Sequence, residues 1–225
     1  MAITGSQLAR ITDATNISIT ATVAEMDELV KQAKIHSFGV AVGPQCYVPY
    51  LLQQLSGYDT KILGAAGGRA TERTEDKVAM ALNSRALGCA EIENRMNLSL
   101  SYLKSGMYDE IVKETRAVKD AIGEDCIFKC IIETPLLTDE EIATACELLI
   151  DGGVDFVKSA TGTMGATTLH HVEVMGKAVK GRVGIKAAGG VRTIEMVDQM
   201  MDAGVTRFGI GLASALKIIA EADNR

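Results

Sequence analysis

Short β-branched or apolar runs alternate along the chain with longer stretches whose apolar residues recur every three or four positions. The runs at 10–15, 38–42, 61–65, 91–97, 127–133, 156–159, 184–187 and 207–211 read as strands. The stretches at 24–36, 73–87, 109–122, 138–151, 168–179 and 193–203 read as amphipathic helices, with 213–223 closing the chain. Start signals agree: Thr138 places a hydroxyl before a helical stretch with Glu141 three residues on, a capping box, and Thr193 precedes the next-to-last helix in the same way. Gly88, Gly123, Gly152, Gly153 and Gly204 stand where helical patterns stop. Strand and helix in regular alternation imply a parallel sheet. An open doubly wound sheet gives the same rhythm, but Asp13, Glu93, Asn97, Glu133, Lys158 and Lys186 all fall at strand ends. A closed barrel brings those ends to one mouth, so the expected fold is a (β/α)8 TIM barrel forming a single domain over residues 1–225.

Composition narrows the partners. The 225 residues include only three prolines and no linker-like tract, and apolar residues make up 47%. Tryptophan is absent, aromatics are 4%, and the formal charge is −6. A stacking platform or basic field for nucleic acid is therefore excluded, and an anionic substrate has to be held by a local site. The cysteines (Cys46, Cys89, Cys126, Cys130, Cys146) form no CxxC pair and have no histidine beside them, so they are expected as reduced, packed thiols, Cys46 included, and no metal is expected. His170-His171 at a helix start has no partner at ligand spacing and suits a surface or capping role. With no apolar run of about 18 residues, neither a signal peptide nor a membrane span is expected, and the cytoplasm is the expected location.

Two lysines carry the candidate chemistry. Lys158, in Asp155-Phe156-Val157-Lys158-Ser159-Ala160-Thr161-Gly162, and Lys186, in Gly184-Ile185-Lys186-Ala187-Ala188-Gly189-Gly190-Val191-Arg192-Thr193, each end a strand-like run with glycine close behind. An unpaired buried ammonium is costly, so two lysines aimed at one region suggest that one perturbs the other. A free lysine amine, with a pKa of about 10.4, is neutral in roughly one molecule in a few thousand at pH 7. Desolvation and a neighbouring cation both raise that fraction, and a neutral amine condenses with a carbonyl to give a Schiff base that accepts the electrons of an adjacent breaking C–C bond. In the alternative, acids such as Glu133 and Glu93 pair with both lysines and only knit the mouth together. Gly189-Gly190 and Gly209-Ile210-Gly211 lie where barrels commonly bind phosphate.

The two lysine segments closely resemble the signature segments of deoxyribose-phosphate aldolases. Weaker similarity runs through Asp13-Ala14-Thr15, Gln45-Cys46-Tyr47-Val48-Pro49, Leu103-Lys104-Ser105-Gly106 and Ile131-Ile132-Glu133-Thr134. The resemblance implies a class I aldolase on a TIM barrel, without metal or other cofactor, that reversibly cleaves 2-deoxy-D-ribose 5-phosphate into acetaldehyde and glyceraldehyde 3-phosphate. It implies Lys158 as the Schiff-base lysine and Lys186 as the second lysine. Glu93 stands where the family has an aspartate, Asp13 matches an aspartate of the first strand, and Gly162, Gly189, Gly190 and Gly211 are implied as phosphate ligands. The family's Gly-Thr-Ser-Ser reads Gly209-Ile210-Gly211-Leu212 here, without the hydroxyls, and Arg69 or Arg73 is the expected compensating clamp. Other readings are a phosphosugar isomerase or synthase with Lys186 on phosphate and Glu93 as base, an aldolase with a different donor or acceptor, and a barrel that only binds. A homodimer is expected from apolar helices on the exterior.

Overall fold

The computed structural model describes residues 2–68, 71–94 and 99–225. In order the elements are α1 (Gly5–Arg10), β1 (Thr12–Thr15), α2 (Val23–His36), β2 (Val40–Val42), α3 (Val48–Gln54), β3 (Lys61–Ala65), α4 (Thr74–Ala86), β4 (Glu91–Asn94), α5 (Leu100–Lys104), α6 (Tyr108–Ile122), β5 (Ile127–Ile131), α7 (Asp139–Gly152), β6 (Phe156–Lys158), α8 (Leu169–Val179), β7 (Gly184–Ala188), α9 (Ile194–Asp202), β8 (Arg207–Gly211) and α10 (Leu212–Asp223). The strands close in sequence order, β1 pairing in parallel with β8, into the expected barrel.

Alternation along the strands separates two environments. Ala14, Ile92, Phe128, Cys130, Val157, Ile185, Ala187, Phe208 and Ile210 point outward into the apolar layer beneath the helices. On the opposite parity lie Asp13, Glu91, Glu93, Lys129, Lys158, Lys186 and Arg207, together with a small separate cluster of Val40, Val42 and Leu63. Helix burial is built in the ordinary way: in α7, Ile142, Ala145, Cys146 and Leu149 face inward, and the expected Thr138–Glu141 capping box is formed.

Two sequence expectations need correction, the start of the first strand and the packing of Cys46. The first strand begins at Thr12, not at residue 10, because Thr4 and Gln7 form a capping box that starts a short helix through Arg10. The fourth strand is described from Glu91 to Asn94, and the expected continuation to Asn97 lies outside the described residues. Cys46 is exposed on a 3-10 turn after β2, whereas Cys89, Cys126, Cys130 and Cys146 are buried. The histidines do sit at a helix start: His171 serves the N-cap Thr168 of α8, and His170 contacts Asp139.

Candidate active site

Register brings the candidate groups together. Lys158 on β6 is the Cα partner of Lys186 on β7, so both side chains enter the barrel one strand apart. On β4, Glu93 faces the same interior two residues after Glu91 and is the partner of Lys129 on β5. Lys158 Nζ donates to Glu93 Oε1 at 2.6 Å. Lys186 Nζ donates to Glu93 Oε2 at 2.6 Å and lies 2.5 Å from Asp13 Oδ2. One carboxylate therefore bridges the two lysines, each of its oxygens accepting from one of them.

The lysines differ in exposure and charge. The Lys158 side chain is 12% exposed and that of Lys186 1%. Burial is the leading influence on Lys158 and lowers its pKa to about 8; Glu93 opposes this, and the Lys186 cation adds to it. The cationic neighbour is thus a contributor, and desolvation is the larger cause. At pH 7 a pKa near 8 leaves roughly one amine in ten neutral, against about one in a few thousand for a free lysine. For Lys186 burial also disfavours charge, but Asp13 and then Glu93 override it and hold the ammonium well above the ordinary lysine value. Glu93, for which burial alone would favour the acid form, is held down at about 2 by Lys158, Lys186 and Lys129. The pairing of lysines with acids that the sequence offered as an alternative is real for Glu93, but Glu133 is used elsewhere. Its buried carboxylate accepts from the Thr161 backbone N–H at 3.2 Å and so anchors the loop after β6.

The charges continue below. Lys129 Nζ donates to Asp13 Oδ2 at 2.7 Å and lies 2.5 Å from Glu91 Oε2. Arg207 donates to Glu91 Oε1 at 3.3 Å and lies 3.4 Å from Asp13 Oδ1. Sequence reading missed Lys129, Glu91 and Arg207. A signal existed: a lysine in the middle of Ile127-Phe128-Lys129-Cys130-Ile131 has no apolar reason to be there.

A cavity of about 380 Å³ opens at the C-terminal ends of the strands. Its wall includes Lys158, Lys186, Glu93, Val42, Leu63 and Ile131, and also Gly162, Gly189, Gly190 and Gly211. All four candidate phosphate glycines thus face the same space as the lysines. Asp13 is fully buried beneath it and is absent from the wall. Two glycines are there for space. A Cβ at Gly189, whose φ is +85°, would stand 2.9 Å from the Gly162 Cα, so the loops after β6 and β7 meet only as glycines. A Cβ at Gly209 would stand 2.9 Å from the Ala188 Cβ and 3.2 Å from Lys186 Cε, so that glycine leaves room for both neighbouring side chains of β7. Arg69 lies outside the described residues. Arg73 is exposed, binds Asp76 at 3.0 Å through two nitrogens, and does not line the cavity. Among the described residues the arginine on the cavity wall is Arg192, which also donates to Ser214 Oγ at 2.9 Å.

The model of the DeoC/LacD family aldolases matches residues 96–221. A deoxyribose-phosphate aldolase of Thermoanaerobacter sp. is 37% identical over 219 residues, covering 95% of this chain and 96% of that protein. The chain belongs to the DeoC/LacD aldolase family. A crystal structure from Coccidioides immitis, provisionally named a deoxyribose-phosphate aldolase, superposes with a TM-score of 0.91 at 31% identity, covering 98% of this chain and 87% of that one. The fold is shared with the deoxyribose phosphate aldolase of Aeropyrum pernix, described as a tetramer, at a TM-score of 0.86 and 24% identity, covering 97% of this chain and 92% of that one. As a member of this family the chain is an aldolase, hence a lyase. No helix among the described residues is long and apolar enough to cross a membrane, and no group of three or more potential metal ligands occurs among them.

Proposed function

We propose that this aldolase cleaves 2-deoxy-D-ribose 5-phosphate, or a close analogue, reversibly into acetaldehyde and glyceraldehyde 3-phosphate through a Schiff base on Lys158. The observation that carries this reading is a partly exposed, desolvated amine whose pKa is brought down to about 8, one strand away from a fixed ammonium at the same cavity. The neutral Nζ attacks the C1 carbonyl carbon, and the carbinolamine loses water as the oxygen takes a proton. A base then removes the C3 hydroxyl proton, the C2–C3 bond breaks, and its electrons move into the iminium to give an enamine. Protonation at C2 and addition of water release acetaldehyde and restore the amine. Glu93, bonded to both lysines, and Lys186, a fixed proton donor, are the groups we assign to the proton transfers, with Asp13 holding Lys186 from below.

For the phosphate we assign the backbone amides around Gly162, Gly189, Gly190 and Gly211, which line the cavity beside the open N-terminus of α10, where no side chain caps the helix. Arg192 supports the same reading, since a guanidinium on that wall supplies the charge-assisted bond that serines at 211 and 212 would otherwise share. Arg192→Ala should raise KM for the phosphorylated aldehyde about tenfold or more, the effect of losing one hydrogen bond to a charged group, and leave turnover of unphosphorylated deoxyribose unchanged. Side-by-side assays of the two substrates check this, and equal effects on both would rule the assignment out. We infer a cytoplasmic homodimer, supported by the buried cysteines and by the exposed apolar side chains of Ile17, Ile19 and Val23. A monomer in sedimentation velocity would contradict the assembly.

A further inference from the structure

A chain of alternating charges runs from the barrel floor up to the cavity, and its lower members, Glu91, Lys129 and Arg207, take no part in the reaction scheme. From the floor upward it runs Glu91, Lys129, Asp13, Lys186, Glu93, Lys158, with neighbouring contacts between 2.5 and 2.7 Å. Arg207 closes the lower end by lying against both Asp13 and Glu91. Lys129 is completely buried, and its Nζ stands 5.8 Å from the centre of the Phe156 ring, which fills the space beside it. The groups facing Lys129 are Asp13 from β1, Glu91 and Glu93 from β4, Arg207 from β8 and, across Asp13, Lys186 from β7.

The charges of this cluster can be counted. Asp13, Glu91 and Glu93 are three acids; Lys129, Lys186 and Arg207 are three cations that each touch two of those acids, and Lys158 touches one. The set is electrically neutral when Lys158 carries no charge, and holds one excess positive charge when Lys158 is protonated. In a buried site an excess charge is disfavoured, so the count favours the neutral amine and acts in the same direction as burial on Lys158.

We propose that Lys129, which does not touch the cavity, is a positioning residue that acts through Asp13 and Glu91: its charge, with that of Arg207, balances these acids at the barrel floor, so that Lys186, shared between Asp13 and Glu93, completes the balance and leaves the Schiff-base lysine as the one group whose protonation unbalances the cluster. The proposal rests on the assignment of Lys158 as the Schiff-base lysine. Without the Lys129 charge the cluster is balanced only with Lys158 protonated, so the neutral amine should appear at higher pH. Without one acid the reverse should hold.

The test reads how fast acetaldehyde and borohydride fix an ethyl group on Lys158 as a function of pH, identified by peptide mass spectrometry. For Lys129→Met the midpoint should move up by about one unit or more, the scale of a removed neighbouring charge, with trapping restored at high pH. Glu91→Gln should move the midpoint down, and the double variant should return it toward that of the natural protein. A structural role alone would lower the trapped yield at every pH without moving the midpoint, and would overturn the proposal, as would shifts of the same sign in both single variants. If Lys129→Met does not fold, the downward shift in Glu91→Gln decides by itself. Failure of the unaltered protein to trap acetaldehyde on Lys158 would instead refute the Schiff-base assignment, a separate result.

Discussion

Lys158→Ala is expected to reduce aldol cleavage at least about a thousandfold, the scale expected when a covalent nucleophile is removed, while the barrel stays folded. The fold should survive because Glu93, the lysine's ion-pair partner among the described residues, keeps a second bond of 2.6 Å to Lys186, so no buried carboxylate is stranded. The side chain is also the most open of the cluster's lysines, at 12% exposure, and its removal leaves a hole that joins the existing cavity. Thermal unfolding should shift by only a few degrees, the effect of about 1 kcal/mol or less. Steady-state rates beside a melting curve make the check. A folded variant retaining several per cent of activity would mean that another group carries the covalent step.

Lys186→Ala should be damaging in both respects. It is 1% exposed and wedged between Asp13 and Glu93, and removing it strands negative charge in the interior, which costs about 3–5 kcal/mol of stability. Its effect on rate has a sign. With the second ammonium gone, Glu93 has Lys158 as its remaining close cation and holds that amine in the charged form, so the neutral form appears only at higher pH. Activity at pH 7 should fall by about two to four orders of magnitude, the range of a lost proton-transfer group with a mistuned nucleophile, and the optimum should move toward alkaline pH. Measuring kcat/KM from neutral to alkaline pH, at a temperature where the variant is folded, separates the two effects. Behaviour like the natural protein at neutral pH would contradict the coupling between the lysines.

The barrel was legible because its signals are local. Short β-branched or apolar runs, capping residues such as Thr138 with Glu141, and glycines such as Gly153 in the left-handed region mark out the elements along the chain. The short helix α1 escaped because its six residues are too few to show a period, although Thr4 and Gln7 carry its cap. Lys158 and Lys186 could be singled out because a charge at a strand end beside glycine is chemically conspicuous. Lys129 could not be placed the same way, since only the closed barrel reveals that residue 129 points inward and that Asp13, 116 positions away, faces it. The same limit explains the weighting of causes at Lys158. Two lysines in neighbouring motifs suggest repulsion between cations, but burial, a property of the whole fold, has the larger influence, and Glu93 offsets part of it. Arg192 was in view within its motif, yet its position on the cavity wall follows from the path of the loop after β7.

The most direct test is reductive trapping of the unaltered protein by acetaldehyde and borohydride across a pH series, with the modified peptide sequenced. The structure predicts one ethyl group, on Lys158, formed at a rate that rises with pH to a plateau with its midpoint near 8. An adduct on a different lysine, no adduct, or a midpoint near the roughly 10.4 of an ordinary lysine would contradict it.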